Sequence, residues 1–179
     1  MGYSAFDTLP PSFADFLLGH IAAKVAQKTE ETIWQGATAN AGEFDGFEAL
    51  LAADATVVDV TGTTVAAANV ITEMGKVVDA IPTSVYGKED LYIYVASNVA
   101  RAYIRALGGF GAQGLGGSGV NNEGTTWFNG ADLAFDGVKL FVCSGMSDNT
   151  MIAAQKSNLY FGTGLLSDHN EVKLIDMAD

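Results

Sequence analysis

The stretch that decides the fold is residues 91–107, whose sequence is LYIYVASNVARAYIRAL. Its first six residues are apolar, aromatic or β-branched, which is the composition of a strand covered on both faces. Ser97 and Asn98 then offer side-chain oxygens that can cap the first turn of a helix. From Val99 onward the apolar residues follow a helical period, with two arginines on the opposite side. The expected apolar face of this helix consists of Val99, Tyr103, Ile104 and Leu107. The stretch therefore predicts a buried strand that runs directly into an amphipathic helix.

The composition around this stretch is that of a folded domain. Of the 179 residues, 49% are hydrophobic and 17% are charged, which excludes a disordered chain. The net charge of −12, with nine basic residues, argues against nucleic acid as a direct partner. No apolar run approaches the roughly 18 residues of a membrane span, and no signal peptide is recognisable. The single cysteine excludes an internal disulfide and fits assembly in the cytosol.

Upstream of the central stretch, residues 12–34 have the pattern of one long helix. Ser12 is its expected N-cap and Gly36 ends it. An apolar stripe at i+4 spacing is formed by Phe13, Leu17, Ile21 and Val25, with Phe16 beside it. At about 1.5 Å per residue the helix is more than ~30 Å long, so we expect it to extend beyond the core that it serves.

Two further elements are predicted between this helix and the central strand. Residues 47–51 form a short helical turn, and the β-branched residues 56–61 predict a strand. Residues 65–81 predict a helix that ends at Pro82. The expected buried face of that helix consists of Val70, Met74, Val77, Val78 and Ile81.

Downstream, residues 108–124 are rich in glycine and predict a mobile loop. Strands at 131–135 and 138–142 are joined by an Asp136-Gly137 hairpin turn. Residues 151–154 and 159–162 predict another pair of short strands, and 171–176 a half-exposed strand. The fold class that follows is α+β, a mixed β-sheet flanked by helices.

Each candidate for chemistry has a plainer explanation. Residues 109–114 match G-x-G-x-x-G, but they follow a helix instead of leaving a strand, so a flexible loop is favoured over a nucleotide site. Cys143 closes an apolar strand, and Ser118 lacks the context of a nucleophile elbow. His20 lies on the long helix. Asp168, His169 and Glu171 are compatible with a weak metal site, but three polar residues in a loop are usually solvated, and the solvated loop is favoured. We therefore predict no catalytic, cofactor-binding or metal-binding residues and no enzymatic activity.

The order of these elements resembles the middle of a tailed-bacteriophage major capsid protein with the HK97-like coat fold. The resemblance rests on the long helix at 12–34 and on short motifs in a fixed order, at residues 31–36, 43–47, 70–81, 91–107, 133–140, 158–163 and 171–172. It implies that residues 1–36 are a lead-in and a long spine-type helix of a peripheral part. It further implies an axial-type α/β domain over 37–160 and a return strand into the peripheral domain over 161–179. The arm and extended loop that relatives place before the spine helix are absent, so the chain corresponds to a fragment or a reduced relative.

The resemblance implies a structural virion protein that self-assembles into the icosahedral shell of a tailed bacteriophage or prophage. Its partners would be itself, in hexamers and pentamers, and other virion proteins, and it would be assembled in the bacterial cytoplasm. The expected inter-subunit contacts, on the loop that points to the capsomer centre, are Phe110, Gln113, Leu115, Asn121 and Asn122. One alternative is a small-molecule-binding or enzymatic α/β domain with its site near Ser97 and the 108–124 loop. Another is an unrelated interaction module.

Overall fold

A computed structural model describes residues 13–107 and 133–162 of the chain. The helices are α1 (Phe13–Gln35), α2 (Phe47–Ala53), α3 (Val70–Asp79) and α4 (Ser97–Leu107), followed by a 3-10 turn at Lys156–Asn158. The strands are β1 (Leu91–Ala96), β2 (Ala134–Phe135), β3 (Val138–Cys143) and β4 (Met151–Gln155). The predicted α+β class is confirmed. Among the described helices, none combines the length and the hydropathy that crossing a bilayer requires.

The four strands form one mixed sheet in the order β2-β3-β1-β4. The central strand β1 is parallel to β3 and antiparallel to β4. Strands β2 and β3 form the predicted hairpin, in which Asp136 and Gly137 both have positive φ, 45° and 78°. Two successive residues with positive φ are the requirement of a type I′ turn, and Asp-Gly meets it at low cost.

The core lies on both faces of β1. Ile93 and Val95, which are completely buried, belong to one face of the strand, and Tyr92 and Tyr94 belong to the other, because side chains alternate along a strand. Helix α3 contacts β4, helix α4 contacts β1 and β3, and the buried side chains of both helices belong to the same core cluster as Ile93 and Val95. The second face is covered by Trp34, near the end of α1, whose ring centroid lies 5.6 Å from that of Tyr94. This two-sided cover explains the unbroken apolar run in β1.

Helix α4 begins at Ser97, directly after β1, as predicted. Val99 and Tyr103 are buried, but Leu107, which was expected on the same face, is exposed. Asn98 does not cap the helix: its side-chain amide exchanges two hydrogen bonds with Asn149, each 3.1 Å. This pair fastens the start of α4 to the turn before β4.

Three other sequence expectations differ from the structure. Residues 56–61 form no strand. Residues 159–162 form no strand either, and β4 pairs with β1 instead. Helix α3 begins at Val70, not at 65, because the Asn69 side chain bonds to the backbone of Thr64 and Ala66 and holds the preceding residues in a turn. The expected strand at 171–176 lies outside the described residues.

Candidate assembly surface

Helix α1 extends away from the sheet for most of its 23 residues. Between residues 15 and 30 every side chain is exposed except Leu17 and Leu18, which are half-buried. Only from residue 31 onward does the helix enter the core. The expectation that this helix extends beyond its core therefore agrees with the exposure of its side chains.

The exposed part of α1 carries large apolar side chains. Val25 is 60% exposed, Phe16 50% and Ile21 40%. Leu17, Ile21 and Val25 follow each other at i+4 spacing, so they lie along one side of the helix. A stripe of this kind usually faces a core, but here Ile21 and Val25 are exposed and Leu17 is only half-buried.

The C-terminal end of α1 is held firmly by hydrogen bonds to the turn after β3. One carboxylate oxygen of Glu30 accepts hydrogen bonds from the backbone N–H of Ser144 at 3.2 Å, from its hydroxyl at 3.0 Å and from the N–H of Gly145 at 3.3 Å. Gln35 donates its side-chain N–H to the carbonyl of Gly145 at 2.7 Å. The direction in which α1 projects is thus set by contacts that span more than 100 residues of sequence.

Glycines allow this close approach. A Cβ on Gly145 would lie 2.5 Å from the carbonyl oxygen of Glu30, and one on Gly46 would lie 2.5 Å from that of Trp34. Real Cβ atoms do not come so close to backbone oxygens, so only glycine fits at these positions. Gly46 also donates its N–H to the carbonyl of Gly36 at 2.8 Å, which closes the loop between α1 and α2.

An ion pair joins that loop to the side of α1. Lys28 Nζ lies 3.0 Å from a carboxylate oxygen of Glu43 and 3.4 Å from one of Glu31. The hydrogen bond to Glu43 raises the pKa of Lys28. Hydrogen bonds from Asn40 and then from Lys28 lower the pKa of Glu43. Both groups stay charged at neutral pH, and the pair orients the last turns of α1 relative to the loop.

The five residues expected at subunit contacts, Phe110, Gln113, Leu115, Asn121 and Asn122, lie outside the described residues, as do Ser118, Asp168, His169 and Glu171. The expected inter-subunit role of the 108–124 loop therefore stays a prediction. Ser97, the other part of the alternative small-molecule site, is half-buried at the start of α4. Ser97 does not line the cleft that is bordered by α3, β4 and residues 56–64.

The remaining chemical candidates have structural roles. Cys143 is buried at the end of β3, and burial, with a smaller effect of Glu30, raises the pKa of its thiol to about 12. A thiol with so high a pKa is not a nucleophile at neutral pH. His20 stacks on Phe16 on the projecting part of α1, with ring centroids 6.5 Å apart. Over residues 13–107 and 133–162, no three His, Cys, Asp or Glu side chains are grouped closely enough to hold a metal ion.

Sequence reasoning missed Glu73, a carboxylate that is only 5% exposed. It accepts hydrogen bonds from Lys76 at 2.9 Å and from the hydroxyl of Thr63 at 3.0 Å. These bonds, that from Lys76 above all, lower its pKa. The available signal was the i,i+3 spacing of Glu73 and Lys76 on α3, although this spacing does not reveal that Thr63 is the other partner of Glu73.

Comparisons of the chain with protein-family models, with curated proteins and with solved structures gave no match.

Proposed function

We propose that this chain is a structural virion protein that self-assembles into the shell of a tailed bacteriophage or prophage, with an HK97-like coat fold. The order of its elements supports the proposal: a long first helix, a short second one, a third helix, a buried strand–helix unit and then a hairpin. Other copies of the chain and other virion proteins would be its partners. It would be assembled in the bacterial cytoplasm and act in the capsid.

The observation that carries the proposal is the exposed apolar side of α1. A helix that projects from its own core and carries exposed Ile21 and Val25 in line with the half-buried Leu17 has a surface suited to a neighbouring subunit. For a ring to form, such a contact has to be heterologous, so that the stripe of one copy meets a different surface of the next. Heterologous contacts that close make rings, which are the units from which a shell is built.

The firm attachment of α1 supports the same role. A helix that carries an interface has to keep a fixed angle to its domain, or successive subunits will not close a ring. Trp34 in the core, the Glu30 carboxylate on the 144–145 turn and Gln35 on Gly145 fix that angle together. The helix is rigidly held at one end and offers its apolar side along the rest of its length.

A charge placed on the stripe tests the proposal. Val25→Asp introduces a carboxylate where the proposal puts a neighbouring subunit, and we expect it to weaken association by at least ~10-fold, since burying a valine contributes about 1.5–3 kcal/mol. The matched control is Ala23→Asp, which places the same carboxylate on the opposite side of the same exposed helix. Light scattering at a series of protein concentrations gives the mean mass of each variant. Equal association by the two variants would contradict a role for the stripe.

A further inference from the structure

Strand β4 has a free edge. On one side it pairs with β1. The hydrogen bonds from Lys156 N to Asp90 O and from Ala96 N to Thr150 O show which residues of β4 point their backbone groups toward β1. In an antiparallel pair every second residue points its N–H and C=O toward the partner strand. The backbone groups of Met151, Ala153 and Gln155 therefore point away from β1, and no hydrogen bond joins them to another described residue. A row of unpaired N–H and C=O groups is a template for another strand.

A segment with the composition of a strand borders the cleft that β4 also lines. Residues 56–61, which we name the strap, have the sequence TVVDVT and the β-branched composition of a strand, yet they form none. Val58 in the strap is 61% exposed. The strap and β4 both line a cleft of about 880 Å³. A strand-forming segment and an unpaired sheet edge thus lie on either side of one open space.

Hydrogen bonds hold the chain at both ends of the strap but not in its middle. At its start, Asp54 accepts hydrogen bonds from the N–H and the hydroxyl of Thr56 at 2.8 and 2.7 Å. Beyond its end, Thr63 donates to Glu73, and Val65 N donates to the side chain of Asn149 at 2.9 Å. Between Val57 and Gly62 the structure has no hydrogen bond from the strap to β4 or α3.

The tether to Asn149 also sets the direction of the strap. Asn149 lies two residues before the start of β4, so the chain from Thr56 to Val65 runs toward the start of that strand. Strand β4 runs away from the same point. The strap is therefore oriented antiparallel to β4, the arrangement in which β4 already pairs with β1.

From this geometry we infer that the strap closes onto the free edge of β4 as a fifth, antiparallel strand and fills the cleft. Closure pairs the outward N–H and C=O groups of Met151, Ala153 and Gln155 and covers the exposed valines of the strap. The described structure is the open arrangement. The inference does not depend on the proposed shell function, since it concerns contacts within one copy of the chain.

Amide hydrogen exchange of the intact chain tests this closure. We expect the amides of Met151, Ala153 and Gln155 to exchange at least about 10-fold more slowly than in the variant Val58→Gly/Val60→Gly, whose strap has lost its strand propensity. Protection should be the same at every protein concentration. The amides of Ile152 and Ala154, which are bonded to β1, are the internal control and should stay protected in both proteins.

A second variant tests the closure without altering the strap, because it changes β4 instead. Ala153→Pro removes one outward N–H without removing a bond to β1, so the sheet should persist while the protection of Met151 and Gln155 is lost. Fast exchange of the three outward amides in the unaltered chain would overturn the inference. So would protection that survives either variant, and so would protection that grows with concentration, since a second copy would then occupy the edge.

Discussion

Gly145 shows at the level of one residue how α1 is held. Because a Cβ there would lie 2.5 Å from the carbonyl oxygen of Glu30, Gly145→Ala has to push the helix away from the 144–145 turn. We expect it to lower the free energy of unfolding by about 1–3 kcal/mol, the usual cost of overpacking. The matched control is Gly75→Ala within α3, where a Cβ meets nothing within 4 Å. It should raise stability by about 0.5–1 kcal/mol. Urea unfolding of both variants measures the difference, and two variants of equal stability would contradict the packing described.

Glu73 makes the stability of the fold depend on pH. Its folded-state pKa is below the ordinary value of 4.5, chiefly because Lys76 donates to it. Its contribution to stability is therefore complete above about pH 4.5 and is lost as the pH falls through the lowered pKa. Glu73→Gln should shift the urea midpoint downward at pH 7, and the shift should shrink as the pH is lowered below 4. The exposed Glu89→Gln is the control. A Glu73→Gln shift that stays constant with pH would show that charge is not the cause.

Residue-scale features differ in how far sequence could predict them. The Asp136-Gly137 turn was predictable, because two residues with positive φ between apolar runs have a local chemical signature. The hydrogen bonds of Glu30 to Ser144 and Gly145 had no such signature, since the partners are 114 and 115 positions apart. The reciprocal pair of Asn98 and Asn149 likewise replaced the helix cap that the local sequence favoured.

Among the elements, α1 divides into a projecting part and an anchored part. The side chains of residues 15–26 are exposed except for the half-buried Leu17 and Leu18, so a chain that begins at Gln27 should keep nearly the same midpoint of thermal unfolding. Removing the residues before Ala37 also takes away Trp34, whose loss from the core costs about 3–5 kcal/mol, so this shorter chain should unfold far more readily. Calorimetry of the two truncated chains makes the comparison. A large loss of stability in the chain that begins at Gln27 would mean that the exposed part of α1 stabilises its own domain.

Strand pairing was the least predictable property of the elements. The bounds of β1 and α4 followed from a switch from an unbroken apolar run to a helical period, which is local information. That β1 is parallel to β3 and antiparallel to β4 is set by the crossover and by the turn at 144–150, which periodicity does not encode. Residues 56–61 have the composition of a strand but reach no partner edge, and composition alone does not supply one.

At the scale of the whole molecule, the core accounts for the stability of one copy, and the projecting helix for its proposed association with others. The core of the described residues is formed by the mixed sheet, buried side chains of α3 and α4, and Trp34. The apolar side of α1 contributes nothing to that core, and a net charge of −12 keeps separate copies soluble through mutual repulsion. We therefore expect association to require enough salt to screen that repulsion.

Electron microscopy of the purified chain at moderate salt is the most direct test of the proposed assembly. We predict closed shells of uniform size, or the rings from which they are built, in place of separate 18.7 kDa chains. Fields that contain only particles of monomer size at every concentration and salt would contradict it.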